Sequence, residues 1–147
     1  MRLPLFILCI LAIHLTGCRN TTSTKYHQPK AQAPKSSVNS HKTFKAARVV
    51  ETSQEGRSTG VGHGSSMAPL YSDNTVLVIH PIDYEDLEPG MIVAYRHSSG
   101  NRVVHRLIRK KGIHWISAGL NNIKQDQDLV TPRNLIGVVY ASFQAKR

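Results

Sequence analysis

Between Gly62 and Ile79 the chain reads GHGSSMAPLYSDNTVLVI, which sets Ser65 and Ser66 side by side in a glycine-rich turn that runs into a strand-like series of Val and Ile. An ordinary Gly/Ser cluster does no more than turn the chain into a strand. It becomes chemistry only with help, because a serine hydroxyl is a weak nucleophile until a base takes its proton, and the base needs a third group to orient it. His105 stands in Arg102 to Arg109 (RVVHRLIR), where a period of two puts Val103, His105 and Leu107 on one face and Val104, Arg106 and Ile108 on the other. A histidine among apolar neighbours is either a core residue bonded to a carbonyl or a base. His63 and Ser65 are the rival base and nucleophile inside the turn itself, and Asp126 and Asp128 are acids farther along. The same region has no Cys/His cluster at zinc spacing.

From about Ser58 the apolar residues come in short runs between turn signals. Thr75 to His80, Met91 to Tyr95, Arg102 to Arg109, Ile113 to Ala118 and Leu135 to Phe143 are the strand candidates. Rich in Val, Ile, Tyr and Trp, they predict an all-β domain, a small twisted sheet or partly open barrel over residues 58–147. Glu88-Pro89-Gly90 and Ser98-Ser99-Gly100-Asn101 are turn stretches, the second suited to a hairpin. A helix is expected only around Tyr84 to Leu87, and Tyr95 and Trp115 read as core or edge aromatics.

The 147-residue chain carries a net charge of +10, divided unevenly. Met1 to Arg57 holds nine Lys/Arg against two Asp/Glu, and Ser58 to Arg147 ten against seven, a split of +7 and +3. Residues 1–18 read as an export signal: Arg2, an apolar run from Leu3 to Leu15, then small residues before Cys18. The run falls short of the about 20 apolar residues that a comfortable membrane-spanning helix needs. Leu15-Thr16-Gly17-Cys18 resembles the lipobox of bacterial lipoproteins, which makes Cys18 the lipidated residue. Of the two cysteines, Cys9 lies in the apolar run, so the folded part has none to pair. Residues 19–57, rich in Thr, Ser, Lys, Gln and Pro, read as a disordered basic linker whose lysines are drawn to anionic lipid and not to nucleic acid.

Three stretches in this order, GSSMAPLYSDNTVLV, LEPGMIVAYR and NRVVHRLIRKKGIHWISAGLNNIKQDQDLV, resemble the signal peptidase family of membrane-associated serine proteases. The likeness covers about Gly62 to Tyr140. Bacterial type I members have a lysine where His105 stands, whereas the archaeal and eukaryotic-like branch has histidine, and this chain is similar to the histidine branch. The resemblance implies Ser66 as nucleophile, His105 as general base and an aspartate shortly after Gly119-Leu120-Asn121-Asn122 as third member, Asp126 before Asp128. It also implies substrate contacts from Met67 and Pro69 of the Ser-Met-x-Pro element, cleavage after small residues, and no metal or cofactor. Imidazole, which titrates near 6.5 in water, can act as a base at neutral pH with little tuning, while an amine near 10.4 must be buried first.

Three positions depart from the family pattern: Leu120 for an aspartate, Met91 for an acidic residue and Ser72 for a glycine. Gly64 offers no hydroxyl for the oxyanion, which leaves backbone N–H groups, chiefly that of Ser66. The expected function is therefore a lipid-tethered serine endopeptidase of the bacterial cell envelope that cleaves exported polypeptides. Self-cleavage, as in repressors of the LexA type, is less expected because no DNA-binding helices precede the domain. A non-catalytic lipoprotein of the same fold that binds peptides or partner proteins is the alternative from a different class.

Overall fold

The computed structural model describes residues 34–146. The export signal, Cys18 and the first part of the basic linker lie outside the described residues. The elements run α1 (Ser40–Thr52), β1 (Ser58–Val61), β2 (Val76–His80), a short 3-10 turn (Tyr84–Asp86), β3 (Ile92–Arg96), β4 (Arg102–Lys111), β5 (His114–Ala118) and β6 (Leu135–Phe143). The strands form one sheet in the order β1-β2-β6-β3-β4-β5, and every pairing is antiparallel. The protein is thus mainly β, as expected. Its sheet is open, with β1 and β5 at its edges and no closure into a barrel.

Alternation divides the sheet's side chains into two layers. On one side Leu87, Val93, Tyr95, Leu107, Trp115 and Val130 form a buried cluster. On the other, Met67, Tyr71, Leu77, Ile79 and Ala94 are buried, with Val104, Leu120, Ile136 and Val139 packed against them. Gly137 lies opposite Ala94 with a φ of 156°, and a Cβ there would come within 2.2 Å of the His80 carbonyl oxygen, so β6 can cross this point only without a side chain. The β3–β4 hairpin turns at His97 to Asn101 with Gly100 at a φ of 86°, in keeping with its turn residues.

The linker expectation needs correction over its second half. Ser40–Thr52 is a helix, where 19–57 reads as disordered and helix is expected only near Tyr84. Asn39 caps it, accepting the Lys42 N–H at 2.9 Å. Thr43 and Ala47 are its buried residues, and Ala47 with half-buried Val50 packs against Val76, Val78 and Phe143. Small and polar residues make that inward stripe, whereas Phe44 and Val49 stay 46 % and 62 % exposed, so the larger apolar side chains do not mark the buried face. Arg57 bonds the Val50 carbonyl at 3.1 Å near the helix end, and Glu51 accepts from the Thr59 hydroxyl at 2.7 Å, which ties α1 to β1. At Tyr84 the structure has a single 3-10 turn.

Candidate active site

Ser66 lies in the loop between β1 and β2. The loop is pinched at its base, where Gly62 N–H bonds the Thr75 carbonyl at 2.8 Å and Asn74 N–H the Gly62 carbonyl at 3.1 Å. Gly64, at a φ of 86°, turns its N–H onto the Asp73 carboxylate at 2.6 Å. Two successive turns follow, Ala68 N–H to Ser65 carbonyl and Tyr71 N–H to Met67 carbonyl, and buried Met67 anchors them in the apolar layer. Ser66 is also held from outside the loop: its carbonyl accepts the Asn121 N–H at 2.8 Å. Gly119 permits this approach, since a Cβ there would stand 2.6 Å from the Ser66 carbonyl oxygen. The glycine of the 119–122 element therefore serves close backbone packing beneath the serine.

His105 is the fourth residue of β4, opposite Val93 of β3 and on the side of Leu107. Only 8 % exposed, it bonds Ser66 Oγ through Nε2 at 3.0 Å and Asp126 Oδ2 through Nδ1 at 2.7 Å. An ionised carboxylate can only accept, so Nδ1 carries the proton and Nε2 of the neutral ring accepts from the serine. Asp126 sits in the loop after β5, where its N–H bonds the Ser117 carbonyl at 2.8 Å. Its Oδ2 accepts further bonds from the Ser117 hydroxyl at 2.7 Å and the Tyr95 hydroxyl at 3.0 Å. Burial raises the pKa of this carboxyl, but hydrogen bonds from His105, Ser117 and Tyr95 outweigh it and hold the group below its ordinary value. Burial, with the neighbouring Asp126 charge, pushes the Tyr95 phenol well above its ordinary value, so it remains a donor.

Of the two acids weighed from sequence, Asp126 is the one brought to His105. Asp128 turns the other way, accepting the Ser98 N–H at 2.6 Å with His97 Nε2 at 3.4 Å. Ser65 is exposed and points no hydroxyl at either histidine among the described contacts, and His63 is exposed at the loop surface. Leu120, Met91 and Ser72 have structural partners: Leu120 packs on the Met67 layer, Met91 on the Val93 layer, and Ser72 accepts from Gln144 at 2.6 Å.

A cavity of about 370 Å³ opens beside Ser66 and His105. Its floor is Met67, Leu77, Ile79, Ala94 and Val104, and its rim runs from Gly60 to Gly64 on one side and along Arg102 to His105 on the other. Pro69 is exposed and absent from this lining, so of the two expected substrate contacts only Met67 borders the cavity. β5 pairs with β4 only from Arg106 onward, leaving Arg102 to His105 a strand neighbour on one side alone.

Tyr95 and Ser117 belong to the site but read from sequence only as an aromatic and a polar residue of strands. Their register gives them away: Tyr95 opposes Val103 and Ser117 opposes Leu107, so both share the His105 face. Among the described residues no group of three or more His, Cys, Asp or Glu side chains could hold a metal ion. The sequence matches no protein-family model, and a search of curated proteins finds no match either.

Proposed function

We propose that this chain is a serine endopeptidase with a Ser66–His105–Asp126 mechanism, similar to the histidine branch of the signal peptidases. The observation that carries the reading is the linked pair of contacts at 3.0 Å and 2.7 Å, made at the rim of a peptide-sized cleft by residues 39 and 21 apart in sequence. In the first step Ser66 Oγ attacks a peptide carbonyl as its proton passes to His105 Nε2. Asp126 stabilises the imidazolium, and His105 then gives the proton to the leaving amine, releasing one product and leaving an acyl-Ser66. Water, deprotonated by the same histidine, hydrolyses that ester and restores the serine. The Ser66 N–H donates to none of the described residues in the free protein and is the natural donor to the oxyanion.

The setting follows from the N-terminal sequence: an export signal, a Cys18 lipid anchor and a basic tether put the enzyme at the envelope membrane, where exported polypeptides are its substrates. A tether raises its effective concentration near them. Among the described residues no helix is long and apolar enough to cross a membrane.

The test is to incubate exported precursors with the full chain and with Ser66→Ala. Cleavage by the first alone supports the reading, and binding without cleavage by either favours the peptide-binding alternative. On a substrate without titrating groups, an imidazole base predicts kcat/KM nearly flat from about pH 8 to 10, since imidazole in water titrates near 6.5. A steep climb over that range would transfer the base to an amine. Lys110, Lys111 and Lys124 are all exposed, which argues against the burial such an amine requires.

A further inference from the structure

Arg102 is out of keeping with the rest of the cleft. It lines the cavity beside Val104, with which it shares a face of β4, while the floor is apolar and the lining contains no Asp or Glu. Directly opposite it on β3 stands Arg96, also exposed. Residues directly opposed in an antiparallel pair project to the same side, and like charges there are destabilising. Arg96 spends one guanidinium N–H on the Gly100 carbonyl at 3.2 Å, and among the described residues neither arginine has a carboxylate partner. The acid of the serine loop, Asp73, is engaged with Gly64 N–H.

An uncompensated guanidinium group lining an apolar cleft, with a second directly opposite it on β3, suits an anion brought by the ligand. We propose that the cleft selects polypeptide segments bearing an Asp or Glu side chain, received by Arg102 with Arg96 behind it. This rests on the endopeptidase reading for the statement that the segment is cut, but not for the statement that it is bound. Arg102 lies three residues from His105 on one strand, about 10 Å at a rise of about 3.3 Å per residue. An extended substrate therefore places the acid about three residues to one side of the bond attacked. Arg102 acts as a specificity residue, with its planar fork matched to a carboxylate.

Dye-labelled alanine decapeptides carrying a single Glu, moved through the positions in turn, are compared with their Gln counterparts. Affinity is measured on the full chain with Ser66→Ala, and cleavage on the native chain. At one position, or two adjacent ones, Glu should bind about fivefold or more tighter than Gln at low salt, with the ratio shrinking at high salt. Arg102→Gln should bring the ratio to about one, and Arg102→Lys should retain part of it. A ratio near one at every position, a preference that survives Arg102→Gln, or no binding by any of the peptides overturns the inference. Adsorption to phosphatidylglycerol vesicles that depends on Arg102, with no Glu preference, does so too and assigns the pair to lipid. If the Glu ratio holds but the native chain cuts none of the peptides or precursors, the endopeptidase reading fails and the acidic-peptide site stands.

Discussion

Two regions of this protein assemble the same three side-chain types. In the cleft, Ser66, His105 and Asp126 form a chain of hydrogen bonds. In the β3–β4 turn, His97 Nδ1 lies 2.9 Å from Ser99 Oγ while its Nε2 stands 3.4 Å from Asp128. The difference is in what surrounds them. The His105 and Asp126 side chains are 10 % and 12 % exposed, against 38 % and 25 % for His97 and Asp128. Asp126 is fixed by Tyr95, Ser117 and its own backbone, whereas Asp128 leans on a turn at the surface. Ser66 faces a cavity of about 370 Å³, and Ser99 caps a local turn two residues from its histidine. Residue types alone do not set the two regions apart; burial, orientation of the histidine and an open cavity beside the serine do.

The comparison breaks most sharply at the acids. Asp126→Asn should lower kcat by about 10³- to 10⁴-fold, because an amide favours the wrong imidazole tautomer and cannot stabilise its charged form. Asp128→Asn should change kcat by no more than about threefold. Equal losses would mean that the two clusters act as one unit.

The glycines give the next largest contrast. Gly119→Ala forces a methyl group against the Ser66 carbonyl oxygen, at 2.6 Å before relaxation, and displaces the serine. Steady-state kinetics should show a loss of about 10²-fold, the usual cost of misplacing a reacting group by about 1 Å. Gly100→Ala has open space around it and strains only its φ of 86°, so it should lower stability by about 1 kcal/mol and leave kcat alone.

Tyr95→Phe sharpens the account within the cleft. It removes one donor to Asp126 while keeping the ring in the core, and should reduce kcat by about tenfold and stability by about 1 kcal/mol. Ser117→Ala should behave similarly. Loss of stability without loss of kcat would make both residues purely structural.

The smallest effect is on acid stability. Asp126 is held below its ordinary pKa, so its contribution to folding is complete above about pH 4 and is lost as pH falls through the folded-state value. Denaturant melts of Asp126→Asn should therefore be flatter than those of the native chain below about pH 4. Asp128 is also held low, first by the Ser98 N–H, but it is more exposed, so Asp128→Asn should flatten the curve less.

The parts of this molecule that could be read in the sequence are those with a strong local signal. β6 spans Leu135–Phe143 as expected, and β2 to β5 lie within two residues of their expected bounds, because Val/Ile runs between Gly and Pro turns leave little choice. β1 went unread: at four residues with Gly60 inside, it exists because β2 pairs with it. α1 is hidden for the reason given above, an inward stripe of Thr43 and Ala47. At the site, Ser66 and His105 stand out through their neighbours, whereas choosing between Asp126 and Asp128 depends on how a loop without periodicity folds back on Ser117. Tyr95 and Ser117 could not be assigned to the carboxylate without the strand register, which is a property of the pairing and not of either strand.

The central claim, that Ser66 and His105 act as one unit, is tested most directly by a double-mutant cycle on the hydrolysis of an exported precursor or peptide. The kcat of the full chain is compared with those of Ser66→Ala, His105→Ala and the double variant. Each single change should cost about 10⁴-fold or more, and the double should cost scarcely more than either, since members of a catalytic unit are grossly non-additive. Losses that multiply, or activity kept in Ser66→Ala and lost in Ser65→Ala or Ser99→Ala, would contradict it.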